Sequence, residues 1–99
     1  MLKYPGDFAI AVHPGDILQE IMEERGIAQS RLARHLKTDI ASINGICRRR
    51  CGVSACMIIM LGRAFGTSAE LWMNLQKNWE LSQVDPRLAK HIRPLRVSA

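Results

Sequence analysis

Ten residues, from Ser42 to Cys51 (SINGICRRRC), hold many of the side chains in this chain that could do chemistry. They include an Asn-Gly pair, three consecutive arginines and two cysteines. Consecutive arginines suit contacts with nucleic-acid phosphates, although they also suit a solvated surface. Asn-Gly is typical of a turn, because both residues tolerate positive φ angles. The function of the stretch therefore depends on the element that carries it.

The three cysteines, at positions 47, 51 and 56, are candidates for metal or redox chemistry. Their C-x3-C-x4-C spacing matches no usual zinc pattern, and His35 is the one histidine expected nearby. An odd number of cysteines and the lack of a signal-peptide pattern favour reduced thiols over disulfides. We therefore expect three small core or boundary residues, with Cys47 buried, and neither a metal nor a cofactor.

Positive charge is concentrated around the arginines. The chain of 99 residues has a net charge of +5, and residues 27–53 carry six basic side chains and one acidic one. Residues 1–26, in contrast, carry two basic and five acidic side chains. A basic sector within a folded domain indicates a polyanion-binding protein, and a solvated face is the alternative. The length predicts one domain, residues 1–99, with a core of its own.

The apolar pattern predicts an all-α chain rather than a membrane protein. Its longest apolar run, Met57 to Leu61, is far shorter than the roughly 20 residues of a membrane span, so we expect a cytoplasmic protein. Apolar residues recur at helical spacing, and Asp39, Ser54 and Ser68 are suited to cap helices. The five to six predicted helices cover about residues 14–25, 28–36, 40–48, 54–65, 68–81 and 86–92.

Two of these helices, short and joined by a tight turn, indicate a helix-turn-helix at about residues 28–48. The opening stretch then begins inside the second helix of the motif, and its arginines follow the end of that helix. An enzyme would need paired catalytic groups, a metal cluster or a phosphate-binding loop, and the pattern of residues supplies none of these. We therefore expect a DNA-binding protein and no catalytic activity.

The residues of this motif resemble a known superfamily. GIAQSRLARHLKTDIASINGI, residues 26–46, is similar to the helix-turn-helix of the phage-repressor-like (Xre/Cro) regulators, with Gln29 opening the first helix. HPGDILQE at 13–20 and GRAFGTSAELWMNLQKNWEL at 62–81 resemble the signatures of the HigA/VapI antitoxins within that superfamily. The resemblance implies a lambda-repressor-like fold and a cytoplasmic antitoxin, which neutralises a HigB-type ribonuclease toxin and represses its own operon as a homodimer.

The resemblance also assigns contacts to double-stranded operator DNA. The residues it places at base edges are Asp39, Ile40, Ala41, Asn44 and Gly45, and it places Gln29 and Ser42 nearer phosphates. Asn44 can pair with adenine, whereas Asp39 more often caps the helix. Because this set is poor in donors, we expect much of the affinity to come from phosphate contacts by Arg34, Arg48, Arg49 and Arg50. Lys37 stands where members of the family usually have a glycine in the turn.

The C-terminal helical region, about residues 68–92, is the expected dimerisation or partner element. Trp72 is expected in the core, and the predicted interface residues are Leu75, Trp79 and Leu81. Two other functions fit the same sequence. One is a stand-alone Xre-family transcriptional repressor without a toxin, and the other is a protein-interaction module whose DNA binding has decayed, suggested by the donor-poor recognition helix.

Overall fold

The computed structural model describes residues 11–96. Over this range the chain is all-α, as predicted, with five α-helices, one short 3₁₀ turn and no strand. Helix α1 covers Pro14–Arg25, α2 Gln29–Leu36, α3 Ile40–Cys47, α4 Ala55–Phe65 and α5 Ala69–Gln83, and the 3₁₀ turn covers Pro86–Ala89. None of these helices is long and apolar enough to cross a membrane. Residues 1–10 and 97–99 of the predicted domain lie outside the described range.

Side-chain caps determine where the helices begin. The side chains of Asp39, Ser54 and Ser68 each accept a hydrogen bond from a backbone N–H in the first turn of α3, α4 and α5. The first helix is capped by a buried histidine, because Nδ1 of His13 accepts the N–H of Gly15 at 2.8 Å. These bonds satisfy backbone donors that the first turn of a helix leaves unpaired.

Left-handed residues end three of the helices. Gly26 and Gly66 end α1 and α4 with φ angles of 65° and 69°. Lys37 ends α2 with a φ angle of 58°, where a side chain costs roughly 1 kcal/mol relative to glycine. The turn of the motif is therefore formed without the usual glycine, and α3 begins at Ile40, directly after its cap residue Asp39.

One core joins the five helices. Helix α2 packs on α3, α4 packs on α5, and α1 contacts both α3 and α5. Trp72 is fully buried, as predicted, and its Nε1 donates to Oγ1 of Thr67 at 2.8 Å. The predicted burial of Cys47 is also confirmed. The buried apolar residues are Leu18, Met22, Leu32, Ala33, Ile43, Ile46, Cys47, Val53, Met57, Leu61, Phe65 and Trp72.

The C-terminal region differs from the prediction. Helix α5 ends at Gln83, two residues beyond the predicted end, and the predicted helix at 86–92 is a 3₁₀ turn of four residues. The side chains of Leu88 and Ile92 are 71% and 67% exposed, so this segment has no buried apolar face. A short helix without such a face is marginal in water, which explains why the turn does not continue.

Two of the three cysteines also lie outside the core. Cys51 and Cys56 are exposed, so the prediction of core or boundary positions is wrong for both. Cys51 follows the arginines in an irregular segment, and Cys56 lies in the first turn of α4. Helical spacing predicted burial correctly for Cys47 because that residue continues the apolar face of α3, whereas the other two lie beyond that face.

Candidate nucleic-acid interface

The first half of α3 is presented to solvent by the packing of its other face. Ile43 and Ile46 are buried against the core, whereas Ile40 and Ala41 are exposed and Asn44 is partly exposed. A helix held this way can enter a major groove with its N-terminal residues first, as recognition helices do. The apolar Ile40 and Ala41 side chains have no hydrogen-bonding atoms, so any polar base contact on this face depends on its other residues.

Asn44 is held by the first residue of α2. Its Nδ2 donates to Oε1 of Gln29 at 3.2 Å, across the α2–α3 packing. An amide group has two N–H donors and one carbonyl acceptor, so the second N–H and the carbonyl oxygen of Asn44 have no side-chain hydrogen bond with residues 11–96 and are available to a ligand. That pair is the complement of the N7 and N6 edge of adenine in the major groove. The structure thus joins two residues that were assigned separately, one to a base and one to a phosphate.

Asp39 and Ser42 are bonded to each other at the start of α3. Oδ1 of Asp39 accepts the backbone N–H of Ser42 at 2.7 Å. Hydrogen bonds from the side chain and backbone of Ser42 lower the pKa of the Asp39 carboxyl below its ordinary value. The carboxylate therefore stays ionised at the helix N-terminus, where the macrodipole favours negative charge. The Asp39 side chain serves here as the cap of α3.

Residues 48–53, named here the arginine loop, fold back over the end of α3. The carbonyl oxygen of Gly45 accepts the N–H groups of Arg50 and Cys51 at 2.8 and 3.3 Å. A Cβ atom at Gly45 would lie 3.1 Å from Sγ of Cys51. Gly45, predicted at a base edge, therefore lies against the loop and allows it to approach the helix closely.

The three arginines of this loop differ in their surroundings. Arg48 and Arg50 are exposed, and their side chains form no hydrogen bond or ion pair with any residue from 11 to 96. Arg49, in contrast, donates from Nε and Nη2 to the two carboxylate oxygens of Asp16 at 3.1 and 2.6 Å. Arg34, on the outer face of α2, is exposed. Three of the four predicted phosphate contacts are thus free cations within the described part of the chain.

The guanidinium of Arg49 also covers an aromatic ring of α5. It lies 5.6 Å from the centroid of the Trp79 ring, which meets the His13 ring edge-on at 5.0 Å. Burial lowers the pKa of His13, the nearby Asp16 charge opposes this, and Arg49 adds to the lowering. The α1 cap, the arginine loop and α5 therefore meet in one cluster.

The predicted interface residues of α5 have three different environments. Leu75 is partly buried and packs against the core, and Trp79 is partly buried in the cluster with His13. Leu81 is 43% exposed. Of the three, Leu81 is the residue most available to a partner, together with two further apolar side chains that α5 exposes, Leu71 and Met73.

Gln76 of α5 is a site residue that the sequence did not reveal. Its Oε1 accepts the backbone N–H of Val53 at 2.7 Å, and its Nε2 donates to Glu80 at 2.7 Å. A Cβ atom at Gly52 would overlap the Gln76 amide. The residue lies inside the Trp72-to-Gln76 segment of the family signature, which marks its position, whereas the spacing of the residues gives no hint of its role.

Asp16 was missed for a different reason. It is separated from Arg49 by 33 positions in sequence, so no local pattern connects them.

The cysteines, for their part, are not assembled with other ligands, because no three His, Cys, Asp or Glu side chains come together as a metal site among the described residues.

Comparison with known proteins places this geometry in context. The chain is 42% identical to the Pseudomonas aeruginosa antitoxin HigA, solved with the higBA promoter, over 86% of this chain and 98% of that one, with a TM-score of 0.79. It is 26% identical to an addiction module antidote protein of a HigA family from Coxiella burnetii, over 85% and 97% of the two chains, with a TM-score of 0.75.

A curated relative shows a comparable likeness. Virulence-associated protein I of Dichelobacter nodosus is 34% identical over 76 residues, which are 76% of this chain and 70% of that protein. No family model matches the chain.

Proposed function

The chain belongs to the HigA/VapI-type antitoxins of the Xre/Cro helix-turn-helix superfamily, and from this we propose that it neutralises a HigB-type ribonuclease toxin and represses its own operon as a homodimer. Proteins of this family are DNA-binding antitoxins and transcription regulators rather than enzymes. Membership of this family makes the chain an antitoxin-type DNA-binding repressor. We propose in addition that it binds a toxin, recognises its own operator and forms a dimer.

The main support for DNA binding by this chain is its similarity to an antitoxin solved with promoter DNA. It spans nearly the whole of that protein, and it includes the α2–α3 motif with its exposed N-terminal face. The Gln29–Asn44 pair supports sequence-specific reading, because it leaves a complete adenine-reading group on α3. Free cations at Arg34, Arg48 and Arg50 support attachment to phosphates.

A gel shift tests the repressor role directly. The probe is the DNA upstream of the protein's own reading frame, and the competitor is a scrambled duplex of equal length and composition. We expect a retarded complex that the scrambled duplex does not displace at equal concentration. If the wild-type protein gives no shift even at low salt, operator binding is refuted, and the predicted interaction module without DNA binding becomes the better description.

A homodimer fits the exposed apolar residues of α5. Met73 and Leu81, eight positions apart on one side of the helix, are 46% and 43% exposed, and a two-fold contact through them would bury apolar surface from both copies. Two motifs related by such an axis would read a roughly palindromic operator with half-sites about one helical turn apart.

The dimer has its own test, which uses two variants of equal chemistry. Leu81→Glu places a charge on the proposed seam, and Ile40→Glu places one at a 50% exposed position on α3, which packs on α1 and α2. In sedimentation velocity we expect the first variant to be monomeric and the second to remain dimeric. A Leu81→Glu protein that sediments as the wild type does would exclude this residue from the seam.

Toxin neutralisation requires the neighbouring reading frame. When a short basic frame adjacent to this gene is expressed alone, growth should stop, and co-expression of this chain should restore it. A tagged copy of this chain should also retain the adjacent product through affinity purification and gel filtration. If operator binding is present but neither rescue nor a complex is seen, the chain is the stand-alone repressor that the sequence left as an alternative.

A further inference from the structure

The arginine loop is attached to α1 through Arg49. Arg49 is the middle one of three consecutive arginines, and both of its guanidinium bonds go to one carboxylate, that of Asp16 on α1. A bidentate pair of this kind fixes the plane of the guanidinium as well as its position. The side chains of Arg49 and Asp16 are 53% and 34% exposed, so this pair lies at the surface and on the border of the proposed DNA contact.

The indole of Trp79 lies under the same guanidinium. Arg49 is 5.6 Å from the ring centroid, and the ring is in turn supported by the edge-on contact with buried His13. Stacking on an aromatic face suits a planar guanidinium far better than an ammonium group. Arg49 is therefore fixed by α1 and α5 together.

A second attachment to α5 lies at Val53, four residues further along the loop. Gln76 accepts the N–H of Val53 at 2.7 Å, and its amide fills the space beside Gly52. Together, Gln76 and Trp79 connect α5 to the loop at two points separated by one turn of the helix. The loop conformation is consequently determined by α5 as well as by the end of α3.

The backbone of Arg49 requires such support. Its φ angle is 61°, in the left-handed region that non-glycine residues seldom occupy. A residue persists there when the surrounding structure over-determines its conformation. Arg49 is bound to Asp16 at the surface, whereas Arg48 and Arg50 are exposed and form no side-chain hydrogen bond or ion pair with any residue from 11 to 96.

We infer that Arg49 is a positioning residue, which holds the arginine loop with Trp79 and Asp16 so that Arg48 and Arg50 contact phosphates while Arg49 does not. The inference rests on the proposed operator binding. It reverses the expectation that all three arginines are equivalent, and it gives Trp79 a role in DNA binding in place of one in a partner interface.

Salt dependence separates a positioning residue from a phosphate contact. Each phosphate that a protein neutralises adds about 0.9 to the magnitude of the slope of log affinity against log salt. The measurement is fluorescence anisotropy on the upstream DNA between low and moderate salt, with wild type, Arg49→Ala and Arg50→Ala. We expect Arg50→Ala to reduce the magnitude of the slope by about 0.9 for each protomer on the DNA, and Arg49→Ala to weaken binding roughly fivefold with the slope unchanged.

Substitution of Asp16 distinguishes the two roles of Arg49, because they predict opposite changes in DNA affinity. If Arg49 left Asp16 to bind phosphate, Asp16→Asn would free it and strengthen binding. If Arg49 positions the loop, Asp16→Asn weakens binding. Glu20→Gln is the matched control, because Glu20 is an exposed α1 carboxylate without a hydrogen bond or ion pair among residues 11–96, and it measures the effect of removing one acidic charge. We expect Asp16→Asn to bind roughly threefold more weakly than this control.

Two further variants relate the effect to the aromatic ring. Trp79→Leu should weaken binding with an unchanged slope, and adding it to Arg49→Ala should cause little further loss, since both remove the same contact. Arg49→Lys should not restore affinity, because a lysine cannot form the bidentate pair. All variants are compared at equal folded fraction, checked by circular dichroism and thermal unfolding.

The outcomes that overturn the inference are specific. A slope reduced in magnitude by about 0.9 for each bound protomer in Arg49→Ala would make Arg49 a phosphate contact. Unchanged affinity in folded Arg49→Ala would remove the positioning role, and so would tighter binding by Asp16→Asn than by Glu20→Gln. Failure of the wild-type protein to bind the upstream DNA would instead refute the proposed function, which keeps the two results distinct.

Discussion

Replacement of Asn44 by alanine is expected to remove sequence discrimination while leaving general attachment to DNA intact. In the structure one N–H of the Asn44 amide is used by Gln29 at 3.2 Å, and the second N–H and the carbonyl oxygen are free. These two atoms suffice for one bidentate contact with an adenine edge. The variant therefore loses one base contact from each half-site and no phosphate contact.

The size of the effect follows from that count. A bidentate base contact contributes about 1–3 kcal/mol of discrimination, which is roughly 5- to 150-fold in affinity for the operator per half-site. Affinity for a scrambled duplex should be nearly unchanged, and so should the salt slope, because the amide carries no charge. Gln29→Ala should give a smaller loss on the operator, since it frees the Asn44 amide to rotate without removing it.

Competition anisotropy measures this with operator and scrambled duplexes side by side. Arg48→Ala is the matched control, because it removes a phosphate contact and is expected to weaken binding to both duplexes by the same factor. The reasoning is refuted if Asn44→Ala weakens binding to the two duplexes equally, or if Gln29→Ala has a larger effect than Asn44→Ala. In a second measurement, each base pair of the operator is substituted in turn. We expect the wild-type protein to lose affinity when one A·T pair is replaced, and Asn44→Ala to bind equally well with or without that pair.

Three further predictions concern the elements that carry the site. Gly15→Ala should lower the free energy of unfolding by at least about 2 kcal/mol, because a Cβ atom there would overlap the carbonyl oxygen of Ile46. Urea titrations measure the effect, with Gln19→Ala at an exposed α1 position as the control. Equal midpoints for the two variants would contradict the close approach of α1 to Ile46. Lys37→Gly should raise the melting temperature, by a gain of up to about 1 kcal/mol, since it relieves a φ angle of 58° at the end of α2; a lower melting temperature would show that the Lys37 side chain is needed there. His13 must be neutral at Nδ1 to cap α1, and burial lowers its pKa, so stability should be highest above the ordinary histidine pKa of about 6.5 and should fall as the pH drops below it. His13→Asn keeps an acceptor without titrating in that range, and a wild-type profile as flat as that of His13→Asn between pH 7.5 and 5.5 would contradict the assignment.

Much of the fold could be predicted from short-range patterns. Helices α1 to α4 begin and end close to the predicted positions, because capping residues, glycines and helical apolar spacing are local signals. The turn at Lys37 was also foreseeable, since the family resemblance placed a left-handed residue there. The C-terminal segment was mispredicted because Pro86 gives a start signal, whereas burial decides whether a helix continues, and burial is not written in the local sequence.

The site was predictable in its positions and not in its connections. Spacing identified α3, the resemblance to the superfamily assigned Asn44 of that helix to a base edge, and composition identified the arginines as the basic sector. The bonds that determine what these residues can do join Gln29 to Asn44 and Asp16 to Arg49, across 15 and 33 positions. Such pairs depend on how helices pack, and a single sequence gives no direct signal for them.

Because Gly52 has no side chain, the residues at positions 52 and 76 are expected to depend on each other in evolution as well as in the structure. Because the Gln76 amide occupies the place of a Cβ atom at Gly52, a larger residue at position 52 requires that amide to move away from the N–H of Val53. Gln76 in turn holds the loop backbone through Val53, so a change at position 76 alters the loop in one step. Positions 52 and 76 are therefore expected to co-vary among homologues. A substitution on this side of α5 would at the same time change the conformation of the arginine loop and, with it, the proposed contact with DNA.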